Sequence, residues 1–243
     1  MGLWPRVLAL AVAAVVAALL LKLAPPIVVL VVLVGAIAMV YLRARRSRSS
    51  MRVDDAGVLG LRREVGDPFG VLGSPVALFA RATAAAIDEV LWGRWRSLDT
   101  RAFELSFDEP PSSVEEQPGR ASFACAMATV EADLPGLVVE PQTFLMQLQG
   151  PAPGEAIEVG DRSFDEAMNA WSDDPAFALG VLDASTRAWL LSLDLRWGVE
   201  VRGHLALVYG PRPERPDLTV VLETLRDLLQ RLPKDLGASR PPA

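Results

Sequence analysis

The stretch Trp197-Gly-Val-Glu-Val-Arg-Gly-His-Leu-Ala-Leu-Val-Tyr209 decides the class of fold. Trp197, Val199 and Val201 alternate with small or polar residues, Arg202-Gly203 has turn chemistry, and Leu205, Leu207 and Tyr209 resume the alternation. A period of two sends successive side chains to opposite faces, so the pattern predicts a β-hairpin with one buried face. Residues 121–132 and 137–140 repeat it around Asp133-Leu-Pro-Gly136, where proline withholds a donor and glycine admits a turn. Hairpins in succession predict an antiparallel sheet.

Helical signals lie on either side. Residues 76–90 are rich in alanine and predict a helix with Ser74 as N-cap and Pro75 at the first helical position. Apolar-polar alternation from Ala102 to Phe107 predicts a strand, residues 108–119 carry acids, prolines and serines and predict a solvated loop, and residues 144–148 predict a further strand. Ser163-Phe-Asp-Glu166 has capping-box form and predicts a short helix through Trp171. Asp174-Pro175 opens another, running to about Leu193 with a break near Gly180 or Asp183. From Asp217, one helix puts Val221, Leu225, Leu228, Leu229 and Leu232 on one face and stops at Pro233. The expected unit is an α+β soluble domain over residues 58–233 with a mainly antiparallel sheet, followed by a tail of residues 234–243.

From Val7 to Leu42 the only residues hostile to hydrocarbon are Lys22 and Pro25-Pro26, close to the midpoint. One continuous helix would be ~54 Å long against a hydrocarbon core of ~30 Å. Two helices, over residues 7–23 and 27–42, would each span about 25 Å, short but tolerable where the bilayer thins. Residues 1–46 are therefore expected to form a transmembrane helical hairpin, with residues 47–57 as linker. Trp4 and Tyr41 lie at the ends away from the Pro-Pro turn, with Arg6, Arg43, Arg45, Arg46 and Arg48 beside them, so these seven residues are the expected contacts with lipid headgroups. The same arginines place both termini and the soluble domain in the cytoplasm, as a two-span cell-membrane protein. In a competing account residues 1–21 are a cleaved signal peptide and residues 27–42 the anchor; the arginines then still favour a cytoplasmic domain.

Charge is unevenly divided along the 243 residues. Residues 1–52 hold seven basic residues and no acid, which leaves 17 basic against 30 acidic residues, or −13, for residues 53–243. Such a domain is a poor match for nucleic acid, whose phosphates demand a basic face. Cys125 is the single cysteine, flanked by apolar residues, so no internal disulfide forms and a buried small hydrophobe is expected.

No catalytic chemistry is legible. His204 is the single histidine, at the start of a strand with no nucleophile motif beside it. One histidine and one cysteine cannot close a usual zinc shell, and Asp161-x-Ser163-x-Asp165 departs from a calcium loop at Glu166 and Ser172. Neither a phosphate loop nor a dinucleotide fingerprint is present, so no cofactor is expected. Trp92-Gly-Arg-Trp-Arg96 concentrates aromatic and guanidinium groups, which makes Trp92, Arg94, Trp95 and Arg96 candidates for stacking on a partner, with core packing as the alternative.

Val90-Leu-Trp-Gly-Arg-Trp95, Ala132-Asp-Leu-Pro-Gly-Leu137, and Ser163-Phe-Asp-Glu followed by Asp174-Pro-Ala-Phe-Ala178 resemble an actinobacterial family that pairs an N-terminal transmembrane hairpin with a cytoplasmic domain of unknown function. The resemblance implies the architecture and no activity. The expected function is a membrane-tethered docking or scaffold module that binds lipid through its hairpin and a protein partner at the inner face of the membrane. The alternative is a membrane-anchored enzyme or small-ligand-binding domain with a site built from dispersed residues.

Overall fold

The computed structural model describes residues 57, 59–111, 119–211 and 218–233. The hairpin expected over residues 7–42 with its interfacial residues, residues 112–118 of the acidic loop and the tail from 234 lie outside the described residues. No helix among the described residues is long and apolar enough to cross a membrane.

Among the described residues seven strands form one mainly antiparallel sheet with helices on both faces. Strands β1 (Arg62–Val65), β2 (Thr83–Trp95), β3 (Leu98–Asp108) and β4 (Arg120–Pro141) pair in chain order. The far end of β4 pairs with β6 (Met168–Ser172), which carries the short β5 (Glu155–Ala156). Strand β7 (Gly198–Pro211) pairs with β4 along the length of both. The central strand is therefore β4, flanked by β7 throughout and by β3 and then β6 on its other side.

Both of the hairpins expected from the sequence are instead continuous strands with a bend. The β4–β7 ladder runs from Phe123↔Pro211 through Thr129↔Leu205, Leu134↔Gly203 and Leu137↔Val201 to Val139↔Val199, and its register slips on either side of Leu134. Between Thr129 and Leu134 β4 advances five residues while β7 advances two, so the extra backbone bulges out. Pro135, which would interrupt a regular ladder, falls in this irregular corner, where proline is tolerated. Gly203 turns the partner strand at φ 57°, in the left-handed region that glycine enters without a Cβ clash. Turn chemistry here bends two paired strands together instead of reversing one.

The bend is sharp. Gly198 and Tyr209 would lie ~36 Å apart on a straight strand, yet a Cβ on Gly198 would stand 2.5 Å from the Tyr209 ring. The ribbon doubles over, and only a residue without a side chain fits at Gly198.

Alternation in Phe123-Ala-Cys-Ala-Met-Ala128 separates the two faces. Phe103, Leu105, Phe107, Phe123, Cys125, Met127, Leu207 and Tyr209 share one cluster with Val71, Leu78, Phe79 and Phe144. Ala102, Ala124, Ala126, Ala128 and Ala206 lie on the other, where small side chains let a helix approach closely. That helix is α6 (Leu218–Arg231), which buries Val221, Leu225 and Leu228 as its periodicity predicted, together with Leu218 and Leu222, while Leu229 is only partly buried.

Local caps account for the helices read correctly. Asp174 caps α4 (Pro175–Val181) by accepting from the Ala176 and Phe177 amides with Pro175 at N1, and the break falls at Asp183, which caps α5 (Ala184–Ser192). Other expectations are corrected. Helix α1 (Ala77–Arg81) is a single turn and β2 begins at Thr83, because Ile87, Val90 and Leu91 enter the sheet and cross-strand burial outweighs the helix propensity of Ala84-Ala-Ala86. Residues Phe144–Gln147 form one helical turn, α2, not a strand. In α3 (Arg162–Asp165) the cap is Asp161, two residues before the expected Ser163, and Trp171 belongs to β6.

Placing alanine at the two ribbon glycines separates space from conformation. Gly198→Ala is expected to cost about 3 kcal/mol through overpacking against Tyr209. Gly203→Ala, where a Cβ would make only an ordinary contact with Asp133 at 3.7 Å but φ is positive, is expected to cost about 1 kcal/mol. Urea denaturation followed by tryptophan fluorescence ranks the two, and equal costs would contradict the doubled ribbon.

Candidate functional site

The doubled ribbon encloses a group of ionisable side chains that sequence reading did not bring together. Glu140 on β4 is 0% exposed and receives two hydrogen bonds from the Arg81 guanidinium, Nη1 to Oε2 at 2.9 Å and Nη2 to Oε1 at 2.7 Å. The Tyr209 hydroxyl donates to the same Oε2 at 2.8 Å from the opposite arm of the ribbon. Arg81 Nε donates to the Gly150 carbonyl at 3.0 Å, and the Trp171 ring lies 5.8 Å from its guanidinium carbon.

Beside this group, Glu200 on β7 accepts from the Ala77 amide at 2.5 Å and the Leu78 amide at 3.1 Å. These are the orphan donors of the first turn of α1, which Ser74 was expected to satisfy. The helix start is capped by a buried carboxylate 123 residues away.

Burial dominates the electrostatics here. Desolvation pushes Glu200 up to about 7, opposed by the Ala77 and Leu78 amides and by the charges of Arg202 and Arg81. Burial, then the charge of Glu140, holds the Tyr209 phenol well above its ordinary value, so it remains a donor. Burial pulls the Arg81 guanidinium down, but its hydrogen bond and charge attraction to Glu140 outweigh this and hold it above its ordinary value. Every polar group in the cluster has a partner, and all four side chains are buried. Its chemistry is that of a structural clamp.

The open site lies at the hairpin end of β2 and β3. Trp92, Arg101 and Met127 stand in one cross-strand row over β2, β3 and β4. Phe69, set by the turn that Asp67 makes in accepting from the Val71 and Leu72 amides, meets Trp92 edge to face at 5.4 Å. The Arg62 guanidinium lies 5.3 Å from the Trp92 ring and that of Arg101 5.3 Å from the Phe69 ring. Phe69, Trp92, Arg101 and Met127 line an open groove of about 520 Å³ together with Arg94, Asp99 and Thr129, and Arg62 stands beside it against Trp92.

Of the four partner-binding candidates, Trp92 and Arg94 line this groove and the other two do not. Trp95 is buried in the core on the far face. Arg96 and Ser97, both at positive φ, make the two-residue turn between β2 and β3, and Arg96 lies over the Trp95 ring at 4.8 Å and pairs with Glu223 of α6 at 2.6 Å. Sequence reading missed Phe69, Arg62 and Arg101. They come from three separate segments, and the remaining signal was the Asp67-Pro-Phe-Gly70 turn, which exposes an aromatic residue.

Other residues weighed for chemistry are dispersed. His204 is exposed at the ribbon bend, with Nδ1 3.3 Å from the Val130 carbonyl oxygen. Cys125 is buried as expected, and burial pushes its thiol up. A depression of about 450 Å³ beside α3 holds Glu158, Asp165, Glu166 and Asn169, but Asp165 accepts from the Val159 amide and Glu166 pairs with Arg162. An apolar crevice between the sheet, Trp189 and Leu228 has ≈ 10 Å³ of room, about one water. Among the described residues no three His, Cys, Asp or Glu side chains gather as metal ligands.

No protein-family model matches the chain, and no curated protein matches it. A solved structure of similar fold is the crystal structure of the mycobacterial trehalose monomycolate transport factor A, TtfA, at a TM-score of 0.54 and 15% identity, covering 74% of this chain and 93% of that one. At that identity the likeness is one of fold.

Glu200 makes the clamp sensitive to pH. Its folded-state value of about 7 lies above the ordinary 4.5, so the folded state binds the extra proton between these values and stability falls as pH rises through that window. The full difference is about 3 kcal/mol. Urea midpoints are expected to be higher at pH 5 than at pH 8, and Glu200→Gln is expected to flatten that slope whatever its effect on absolute stability. A slope unchanged in the variant would remove Glu200 as its source.

Proposed function

We propose that the chain is a membrane-tethered, non-catalytic interaction module that docks a protein partner at the inner face of the membrane. The observation that carries this reading is the contrast between the two polar sites. The buried clamp is closed and fully partnered, whereas the Phe69–Trp92 groove is open, lined by aromatic and guanidinium groups, and carried by an otherwise acidic domain. The tether is the apolar segment of residues 7–42, read as a two-helix hairpin anchored by Trp4, Arg6, Tyr41, Arg43, Arg45, Arg46 and Arg48, with both termini cytoplasmic. The fold shared with a protein named as a trehalose monomycolate transport factor supports a non-catalytic role. The actinobacterial family that the sequence motifs resemble has the same arrangement of hairpin and soluble domain.

Crosslinking in cells followed by purification in mild detergent is expected to recover the full chain with a stoichiometric protein partner. A reporter at the C-terminus is expected to be shielded from reagents applied outside intact cells. Recovery of the uncrosslinked monomer alone would sink the docking reading, and labelling of the C-terminus from outside would overturn the topology.

A further inference from the structure

The sheet face that carries the Phe103, Leu105 and Phe107 cluster is covered by α1, α2 and the turn Val71–Gly73 over that part of its length. Beyond it, the row of Trp92, Arg101 and Met127, and next to it Arg94 opposite Asp99, line the open groove. Phe69 is 37% exposed at its wall, while Met127, at 1%, closes the floor. The space of about 520 Å³ is ample for a large side chain.

The charges around it are unequal. Arg94 and Arg101 line the groove and Arg62 stands beside it over the Trp92 ring, and among the described residues neither Arg62 nor Arg101 forms an ion pair with a carboxylate. Arg94 reaches Asp99 only at 3.9 Å, with both side chains mostly exposed at 74% and 82%, a contact of little strength. By contrast Arg63 is tied to Glu89 and Arg96 to Glu223. A net-positive recess in a domain of −13 is a local reversal of sign, and guanidinium groups laid over aromatic rings keep their N–H edges free to fork onto a carboxylate.

We infer that this groove binds an acidic linear segment of the protein partner, with one aromatic or long aliphatic side chain seated against Phe69 and Trp92 over Met127 and flanking carboxylates held by Arg62 and Arg101. The inference rests on the docking reading and names the partner's chemistry. An anionic bilayer fits the site less well, because membrane contacts drive projecting rings into the headgroup layer, whereas Trp92 is half-buried and stands over the buried Met127 in a concave site.

The test displays the full chain, in detergent, to a phage library of random twelve-residue peptides. Enriched peptides are expected to carry Asp or Glu on both sides of Phe, Trp or Leu. A labelled consensus peptide is expected to bind at least tenfold more weakly to Arg101→Glu and to Trp92→Ala, and severalfold more weakly when salt is raised about tenfold. Arg94→Glu, at a mostly exposed position, provides a second charge reversal with little risk to folding, and an unchanged urea midpoint certifies each variant. Enrichment of basic or uncharged peptides, or equal binding by wild type and Arg101→Glu, overturns the inference. So does a result in which no peptide is enriched while phosphatidylglycerol vesicles bind the wild type and not Arg101→Glu, which makes the groove a lipid contact. If the partner crosslinked in cells stays bound to Arg101→Glu, the docking reading stands and the groove assignment falls.

Discussion

A carboxylate with no access to water, that of Glu140, is the constraint on which the fold depends. An ionised carboxyl group in the interior is tolerable only if its oxygens are filled by donors. The donors come from Arg81 at the end of a one-turn helix and from Tyr209 near the end of β7. Tyr209 reaches Glu140 only if the β4–β7 ribbon doubles over, which requires bulged backbone before Leu134, positive φ at Gly203 and a bare Cα at Gly198. Phe123, Phe144 and Tyr209 then stack between the arms at centroid separations of 4.8 to 5.8 Å. A buried ion pair of this kind adds little net stability over an apolar replacement, but losing one partner costs about 3–5 kcal/mol. That asymmetry penalises every folded arrangement in which the two arms fail to meet.

Glu200 applies the same logic to a helix start. A five-residue helix has too few internal hydrogen bonds to persist by itself, and its N-cap position, Val76, makes no side-chain cap bond. Two buried amides at Ala77 and Leu78 and one buried carboxylate on a distant strand satisfy one another, which ties the beginning of the domain to its penultimate element. The clamp of Arg81 and Glu140 holds the other end of the same turn.

What was legible in the sequence follows from this division between local and distant causes. Helices α4, α5 and α6 were readable because the cap, the N1 proline and the apolar stripe lie within the segments themselves. The alternation in β3, β4 and β7 was equally plain, and the antiparallel class followed from it. The glycine and proline at the two bends were misread as reversals, because a turn residue records that the chain departs from straightness and not by how much. The reversal that did occur, at Arg96-Ser97, lacks the Asn-Gly type of sequence that advertises a two-residue turn. The strand at Thr83–Trp95 was hidden by alanines whose helix propensity lost to burial in the sheet, and the clamp was illegible because its four members are spread from residue 81 to residue 209. Trp92 and Arg94 could be singled out because they are two residues apart in one short segment, whereas Arg62 and Arg101 arrive by strand pairing and Phe69 by the turn after β1.

The two polar sites differ in the property that separates a structural cluster from a recognition surface, which is unsatisfied capacity facing solvent. In the clamp, strong donors and acceptors are matched inside the fold, so a ligand would have to displace bonds already made in a low-dielectric setting. At the groove, the guanidinium groups of Arg62 and Arg101 rest on rings, which supply weak attraction but no acceptor in the plane of the N–H edges. Water fills that deficit at present exposure, and a carboxylate would fill it better because its two oxygens match the guanidinium fork. The aromatic walls add the apolar area that a free carboxylate or phosphate could not use. A segment carrying both kinds of group gains from both at once, and that coupling favours a peptide over a small anion as the occupant of this face.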